Sequence, residues 1–133
     1  MKCIVVTPEK TVLEKDASFV ALPLFDGEYG VDTNHSPIVG RLGAGEMRLK
    51  FDDGSVERWY VEGGFVEVAN NVVSLLTNRA CELSQLDLEE SKKALVVAQA
   101  RPSNTPELME IKAKAVDLAR AQVRAAEIAA RFK

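Results

Sequence analysis

Glu46-Met-Arg-Leu-Lys-Phe-Asp-Asp-Gly-Ser-Val-Glu-Arg-Trp-Tyr-Val61 is the stretch that decides the fold. Two alternating runs, 46–51 and 55–61, flank Asp52-Asp53-Gly54, and aspartate before glycine between such runs is the strongest short hairpin signal in the chain. Toward the C-terminus, Gly64–Ala69 and Val72–Thr77 meet at Asn70-Asn71, two residues that tolerate positive φ, which predicts a second hairpin. Toward the N-terminus, Cys3–Thr7, a Pro8-Glu9-Lys10 turn, Thr11–Leu13 and Ser18–Leu24 read as further strands, with Pro23 marking an edge or a strand end. Between them, Phe25–Gly45 carries five glycines, Pro37 and the one histidine, and reads as loops packed around short strands. Within it, Gly27, Gly30 and Gly40 are read as turns. Gly63-Gly64 lacks the helix context and the lysine of a phosphate loop, so it is read as tight backbone geometry near a strand start. About ten short strands at this spacing pack naturally as a β-sandwich or flattened barrel.

Near residue 85 the period changes. Ser84 or Asp87 is a candidate N-cap, Glu89 and Glu90 suit the positive end of a helix dipole, and a first helix is predicted over 87–100. Pro102-Ser-Asn-Thr-Pro106 ends it; Thr105 caps a second helix, Pro106 takes its first position, and neither Gly nor Pro interrupts 107–131. The short connection predicts an antiparallel helical hairpin. On the second helix Leu108, Ile111, Ala115, Leu118, Gln122, Ala125, Ala129 and Phe132 follow three-four spacing, a stripe that becomes mostly alanine after Leu118. The chain is therefore divided into a sandwich, 1–84, and a helix-turn-helix module, 85–133.

The charge is unevenly shared. Residues 1–84 hold 8 Lys and Arg against 13 Asp and Glu, and residues 85–133 hold 9 against 7, so the sheet module is acidic and the helical module mildly basic. Neither has the strongly basic face that nucleic acid requires. The apolar runs are far short of the roughly 20 residues needed to cross a bilayer. Cys3 and Cys81, in separate strand contexts, read as buried reduced thiols. With His35 the one imidazole and no paired cysteine spacing, no metal site is predicted. Asp32, His35 and Ser36 crowd one short loop, where they cannot form the line of nucleophile, base and orienting acid, so no catalytic residue is assigned.

Asp26-Gly-Glu-Tyr-Gly-Val31, His35-Ser-Pro37, Gly43-Ala-Gly-Glu-Met-Arg-Leu49 and Gly63-Gly-Phe-Val-Glu-Val-Ala-Asn-Asn-Val-Val-Ser-Leu75 resemble, in order and spacing, the epsilon subunit of F-type ATP synthase, whose mitochondrial counterpart is called delta. The likeness covers essentially the whole chain. It implies a non-catalytic rotor subunit in the central stalk, coupling the gamma subunit to the ring of c subunits in proton-driven ATP synthesis. The C-terminal helices are then expected to restrain ATP hydrolysis by extending among the alpha and beta subunits, with Arg120, Arg124 and Arg131 facing acidic segments there. Glu28 and His35 match positions facing gamma and the c ring. Thr33-Asn34 stands where the family usually has Pro-Gly, and Asn34 can supply the same positive φ. Membrane association is expected only through the complex. The start, Met1-Lys-Cys-Ile-Val-Val-Thr7, shows neither a signal-peptide core nor an Arg-rich presequence. That favours the cytoplasmic face of a bacterial inner membrane, with the chloroplast thylakoid as the organellar counterpart.

No cofactor is predicted, and ATP as a regulatory ligand is doubtful. Some members of the family bind ATP on the folded hairpin through Ile or Leu, Asp, two variable residues, Arg and Ala. The matching stretch is Leu88-Glu-Glu-Ser-Lys-Lys93, with Glu89 for Asp and Lys92 for Arg, which leaves a point charge without arginine's planar fork. Arg120 and Arg124, one turn apart, are the remaining phosphate candidates, and weak or absent ATP binding is expected. An alternative from another class is a free-standing β-sandwich module that binds a small ligand or nucleotide.

Overall fold

The structure is a computed structural model and describes residues 1–132. It has two compact units, Met1–Glu82 and the segment from Leu83 onward. The first unit holds ten strands: β1 (Lys2–Val6), β2 (Thr11–Asp16), β3 (Phe19–Leu24), β4 (Gly27–Asp32), β5 (Ile38–Arg41), β6 (Ala44–Lys50), β7 (Val56–Glu62), β8 (Phe65–Ala69), β9 (Val72–Leu76) and β10 (Ala80–Glu82). They form two five-stranded sheets, β2-β1-β9-β8-β5 and β10-β7-β6-β3-β4. Every pairing is antiparallel except that of β1 with β9, which aligns Lys2 with Val72 and Val6 with Leu76. Alternation decides which residues lie between the sheets: Cys3, Val5, Val73 and Leu75 from one meet Leu22, Met47, Leu49 and Val61 from the other, all fully buried. Burial pushes the Cys3 thiol up to about 12, which makes it inert, while Cys81 is half-buried and also raised by burial.

The hairpins follow their turn chemistry. Asn70 and Asn71 take φ of 52° and 61° between β8 and β9, as a two-residue turn with both centres left-handed requires. Between β6 and β7, Gly54 has φ 87° and its amide donates to the Phe51 carbonyl, while the Asp53 carboxylate accepts from the Ser55 amide and hydroxyl. Those two bonds hold the Asp53 carboxyl below its usual range. Pro23 lies in β3 beyond the last residue paired with β6, so its missing N–H interrupts no ladder there. The three glycines read as turns from the sequence are strand residues: Gly27, which opens β4, Gly30 in β4 and Gly40 in β5. The ring of Phe19 lies over Gly30, 2.8 Å from where a Cβ would stand, so the glycine there makes room for a cross-strand aromatic.

The chain changes sheets between β7 and β8 at Gly63-Gly64, with φ of 72° and 98°. A Cβ on Gly64 would lie 1.9 Å from the Leu76 carbonyl oxygen. The same corner is tied down by its backbone: the Gly64 carbonyl accepts from Leu42 at 2.8 Å, and the Gly63 amide donates to Gly43 at 3.1 Å. Thr77, 3% exposed, closes the β9–β10 crossing, its hydroxyl accepting from the Glu62 amide and donating to the Arg79 carbonyl.

One face of the second sheet carries a ladder of ion pairs. Arg48 on β6 grips both oxygens of Glu28 on β4 and donates to Glu46 at 2.9 Å, and Arg58 on β7 reaches the other oxygen of Glu46 at 3.1 Å. Those carboxylates hold the Arg48 guanidinium above its ordinary range, Glu28 contributing most. The Glu46 side chain is 9% exposed, whereas that of Glu28 is 54% exposed.

In the second unit a 3-10 turn, Leu83–Gln85, precedes α1 (Leu88–Gln99) and α2 (Pro106–Arg131). Of the two candidate caps Asp87 serves, accepting from the Glu90 amide at 2.9 Å. Thr105 caps α2 through the Leu108 amide at 3.1 Å, with Pro106 at its first position. At 26 residues, α2 is about 39 Å long. Leu95 and Ala98 of α1 pack with Ala115, Val116 and Ala119 of α2. The stripe expected from spacing holds in part: Ala125 and Ala129 are buried and Leu108, Ala115 and Gln122 partly so, but Ile111, Leu118 and Phe132 are exposed, and Val116, Ala119, Ala121 and Ala126, outside the stripe, are buried. Alanines admit the closest backbone approach, so the helix hides its smallest side chains and leaves larger ones outside.

Gly64→Ala should destabilise the sandwich by about 3 kcal/mol or more, because strain at positive φ is joined by a backbone collision. Gly27→Ala, also at positive φ but in open space, should cost about 1 kcal/mol. Arg48→Gln leaves the nearly buried Glu46 with one arginine fewer and should cost about 1–2 kcal/mol, against under about 1 for Glu28→Gln at the exposed end. Urea unfolding followed by Trp59 fluorescence checks all four values.

Candidate functional site

The two loop residues matched to partner contacts are not brought together. Glu28 is the second residue of β4 and His35 follows its end, so four strand residues, Tyr29 to Asp32, at about 3.3 Å each, and the turn residues Thr33 and Asn34 lie between them. Glu28 is not a loose loop carboxylate either, since Arg48 fixes both its oxygens and leaves its solvent side available. His35 is held on both ring nitrogens. Nδ1 donates to the Ser36 carbonyl at 2.6 Å, and Nε2 therefore accepts from the Tyr29 hydroxyl at 2.9 Å, the two rings meeting edge to face. Asn34 takes φ 63°, the left-handed geometry expected of it, and its amide donates to the Asn71 side chain at 2.8 Å. The His35 loop is thus clamped to the β8–β9 turn. Asp32 enters only through its backbone carbonyl, which accepts from the His35 amide, and a triad geometry with Ser36 does not form.

A larger surface was missed from the sequence. On the outer side of β5, β8 and β9 lie Val39, Phe65 and Leu76, exposed by 76%, 60% and 61%. Phe65 stands opposite Leu76 on one side and Arg41 on the other. Phe25, from the β3–β4 turn, continues this patch, with Arg41 held 5.9 Å from its ring centre. A contiguous exposed apolar patch on a sheet marks a surface that another molecule covers. The signal was present in the alternation: Phe65 and Leu76 occupy outward positions, where Glu67 and Ser74 of the next row are polar.

On the helices, Glu89 and Lys92 engage each other at 3.8 Å across one turn, both exposed. Arg120 and Arg124 lie one turn apart on the exposed side of α2, and Arg131 sits in its last turn, where a cation suits the dipole. No helix among the described residues is long and apolar enough to cross a membrane. A groove within the sandwich, lined by Thr7, Lys10, Asn78 and Arg79 among others, has a volume of 220 Å³. That is below the roughly 300 Å³ at which small-molecule sites begin. None of the candidate site residues named from the sequence lines it, and it gives no support to a free-standing ligand-binding module.

The family described as ATP synthase, Delta/Epsilon chain, beta-sandwich domain matches residues 1–83. An ATP synthase epsilon chain of Rhodopirellula baltica is 50% identical over 94% of this chain and 97% of its own length. Another, from Delftia acidovorans, is 38% identical over 95% of this chain and 89% of its own. Among solved structures, a chain of the Euglena gracilis mitochondrial ATP synthase assembly superposes with a TM-score of 0.82 at 23% identity, over 92% of this chain and 79% of that one, which establishes likeness of fold. The sandwich with its two crossing glycines, the capped helical pair and these full-length matches lead to one conclusion: the chain belongs to the ATP synthase epsilon family.

Proposed function

We propose that this chain is a non-catalytic rotor subunit of F-type ATP synthase that joins gamma to the c ring and restrains ATP hydrolysis through its helices. The observation that carries the reading is the match of the whole chain, helices included, to ATP synthase epsilon chains. The sandwich supplies two kinds of contact suited to that task. The apolar face of Val39, Phe65 and Leu76 is the docking surface for gamma, where dry packing gives a contact that torque cannot slide. The rim at Glu28 offers a carboxylate whose direction Arg48 fixes, suited to a basic loop of the c ring, and the clamped His35 loop lies at the other end of β4. Residues 1–84 form this docking module and 85–133 the regulatory one, peripheral to the membrane and bound to it through the complex.

The helical pair has the physical character of a switch. It is an independent compact unit, and its own packing rests on Ala98, Val116 and Ala119, which bury little area each. Such a pair costs little to open when alpha and beta offer an alternative partner, and Arg120, Arg124 and Arg131 supply the charge for acidic segments there.

Adding the chain at saturating concentration to the cognate alpha-beta-gamma core should lower ATP hydrolysis. Removing residues 83–133 should restore hydrolysis with binding retained, and no binding at all would defeat the assignment. Reversing Arg120, Arg124 and Arg131 together should relieve inhibition without loss of assembly; full inhibition by the triple variant would remove these residues from the mechanism. In calorimetry ATP should bind weakly or not at all, because Glu89 and Lys92 engage each other and the planar fork is missing. A low-micromolar dissociation constant, worth roughly 8 kcal/mol, would overturn that expectation.

A further inference from the structure

We propose that Arg41 receives a carboxylate from the surface that docks on the apolar face of β5, β8 and β9; the partner patch is apolar with an acidic residue at its edge. The inference rests on the docking of gamma at this face proposed above and adds the chemistry its partner must carry. Arg41 ends β5, the edge strand of its sheet, and stands in register beside the exposed Phe65. Its position is set from two sides: its carbonyl accepts from the Phe25 amide at 3.0 Å, and its guanidinium lies 5.9 Å from the Phe25 ring centre. At that distance, near the outer limit of cation–π contact, the ring leaves the N–H edges of the fork open.

Among the described residues no carboxylate comes within 4.0 Å of that fork. Asp26, next to Phe25, and Glu67, diagonal to Arg41 across β8, are the acids nearest in register, and neither pairs with it. Arg41 is exposed, and like Arg79, which lies 5.9 Å from the Tyr60 ring centre, it neighbours an aromatic ring. The half-buried arginines of the sandwich, Arg48 and Arg58, are paired with carboxylates; Arg41 differs from Arg79 in standing beside the exposed Phe65.

Covering Val39, Phe65 and Leu76 removes water from the rim where Arg41 lies. A guanidinium stripped of water without an acceptor is costly, so a partner lacking an acid there would be rejected. Glu67 sets the direction of docking. It occupies the neighbouring row beside Val39, so a partner acid placed there is repelled, and one placed toward Phe25 is attracted.

The test measures affinity of the full chain for the cognate alpha-beta-gamma core by interferometry at low and high salt, with Arg41→Glu, Arg41→Lys and Phe65→Ala, each confirmed to unfold at the same urea midpoint as the parent. Arg41→Glu should weaken binding about tenfold or more at low salt, with the loss shrinking at high salt and Arg41→Lys retaining part of the affinity. Phe65→Ala should weaken binding at both salt concentrations. Parent-like binding by Arg41→Glu beside a weakened Phe65→Ala would overturn the carboxylate and leave the docking face intact. Parent-like binding by both would overturn the docking face and the inference with it.

Discussion

The sandwich depends on one close approach, the backbone of Gly64 against the carbonyl of Leu76. There is no room for a side chain between them, and the corner at Gly63-Gly64 is where the chain passes from β7 in one sheet to β8 in the other. Because Gly64 lies that close to Leu76, β8 starts level with the end of β9, and Phe65 falls opposite Leu76. Leu42 bonds to the same corner, which brings β5 alongside β8 and Arg41 beside Phe65. The exposed apolar pair of Phe65 and Leu76 is therefore a consequence of backbone packing at a residue with no side chain. A slip of one position would turn Phe65 and Leu76 into the core and expose Val66 and Leu75.

Much of this was legible in the sequence where a local rule acts alone. Asp53-Gly54, Asn70-Asn71, Thr105-Pro106 and Asp87 behave as their turn and cap chemistry dictates, because each depends on a few neighbouring backbone groups. What could not be read depends on residues distant in sequence. Gly30 looked like a turn because nothing nearby reveals that Phe19 lies over it. Glu28 looked like a free loop acid because Arg48, its partner, is twenty residues away in another strand. The exposed apolar face was missed for the same reason: Val39, Phe65 and Leu76 are ordinary strand residues until the order β9-β8-β5 places them on adjacent strands. On α2 the three-four rule found Ala125 and Ala129 but included Ile111, Leu118 and Phe132, whereas close packing selected Val116, Ala119, Ala121 and Ala126 instead.

The two units carry opposite net charge and different kinds of contact. The sandwich is fixed by deep burial and by ion pairs that cross strands, so its surface groups keep a set direction. The helical unit is capped well at both entrances yet has a shallow core of small residues, with Val96, Val97, Met109 and Ile111 exposed. The deep core and the shallow one thus follow residue size: branched and aromatic side chains in 1–82, alanines afterward.

The parallel pairing of β1 with β9 has a consequence for how the protein is made. A strand at residues 2–6 obtains its central partner only when residues 72–76 have been synthesised. Until then β1 has only the β2 hairpin to hold it, and two-stranded hairpins are marginal in water. Closing a loop of that length early is entropically costly and slow, so the sandwich is completed as a late, concerted event in translation. The helices, which follow every strand in the chain, take no part in that closure.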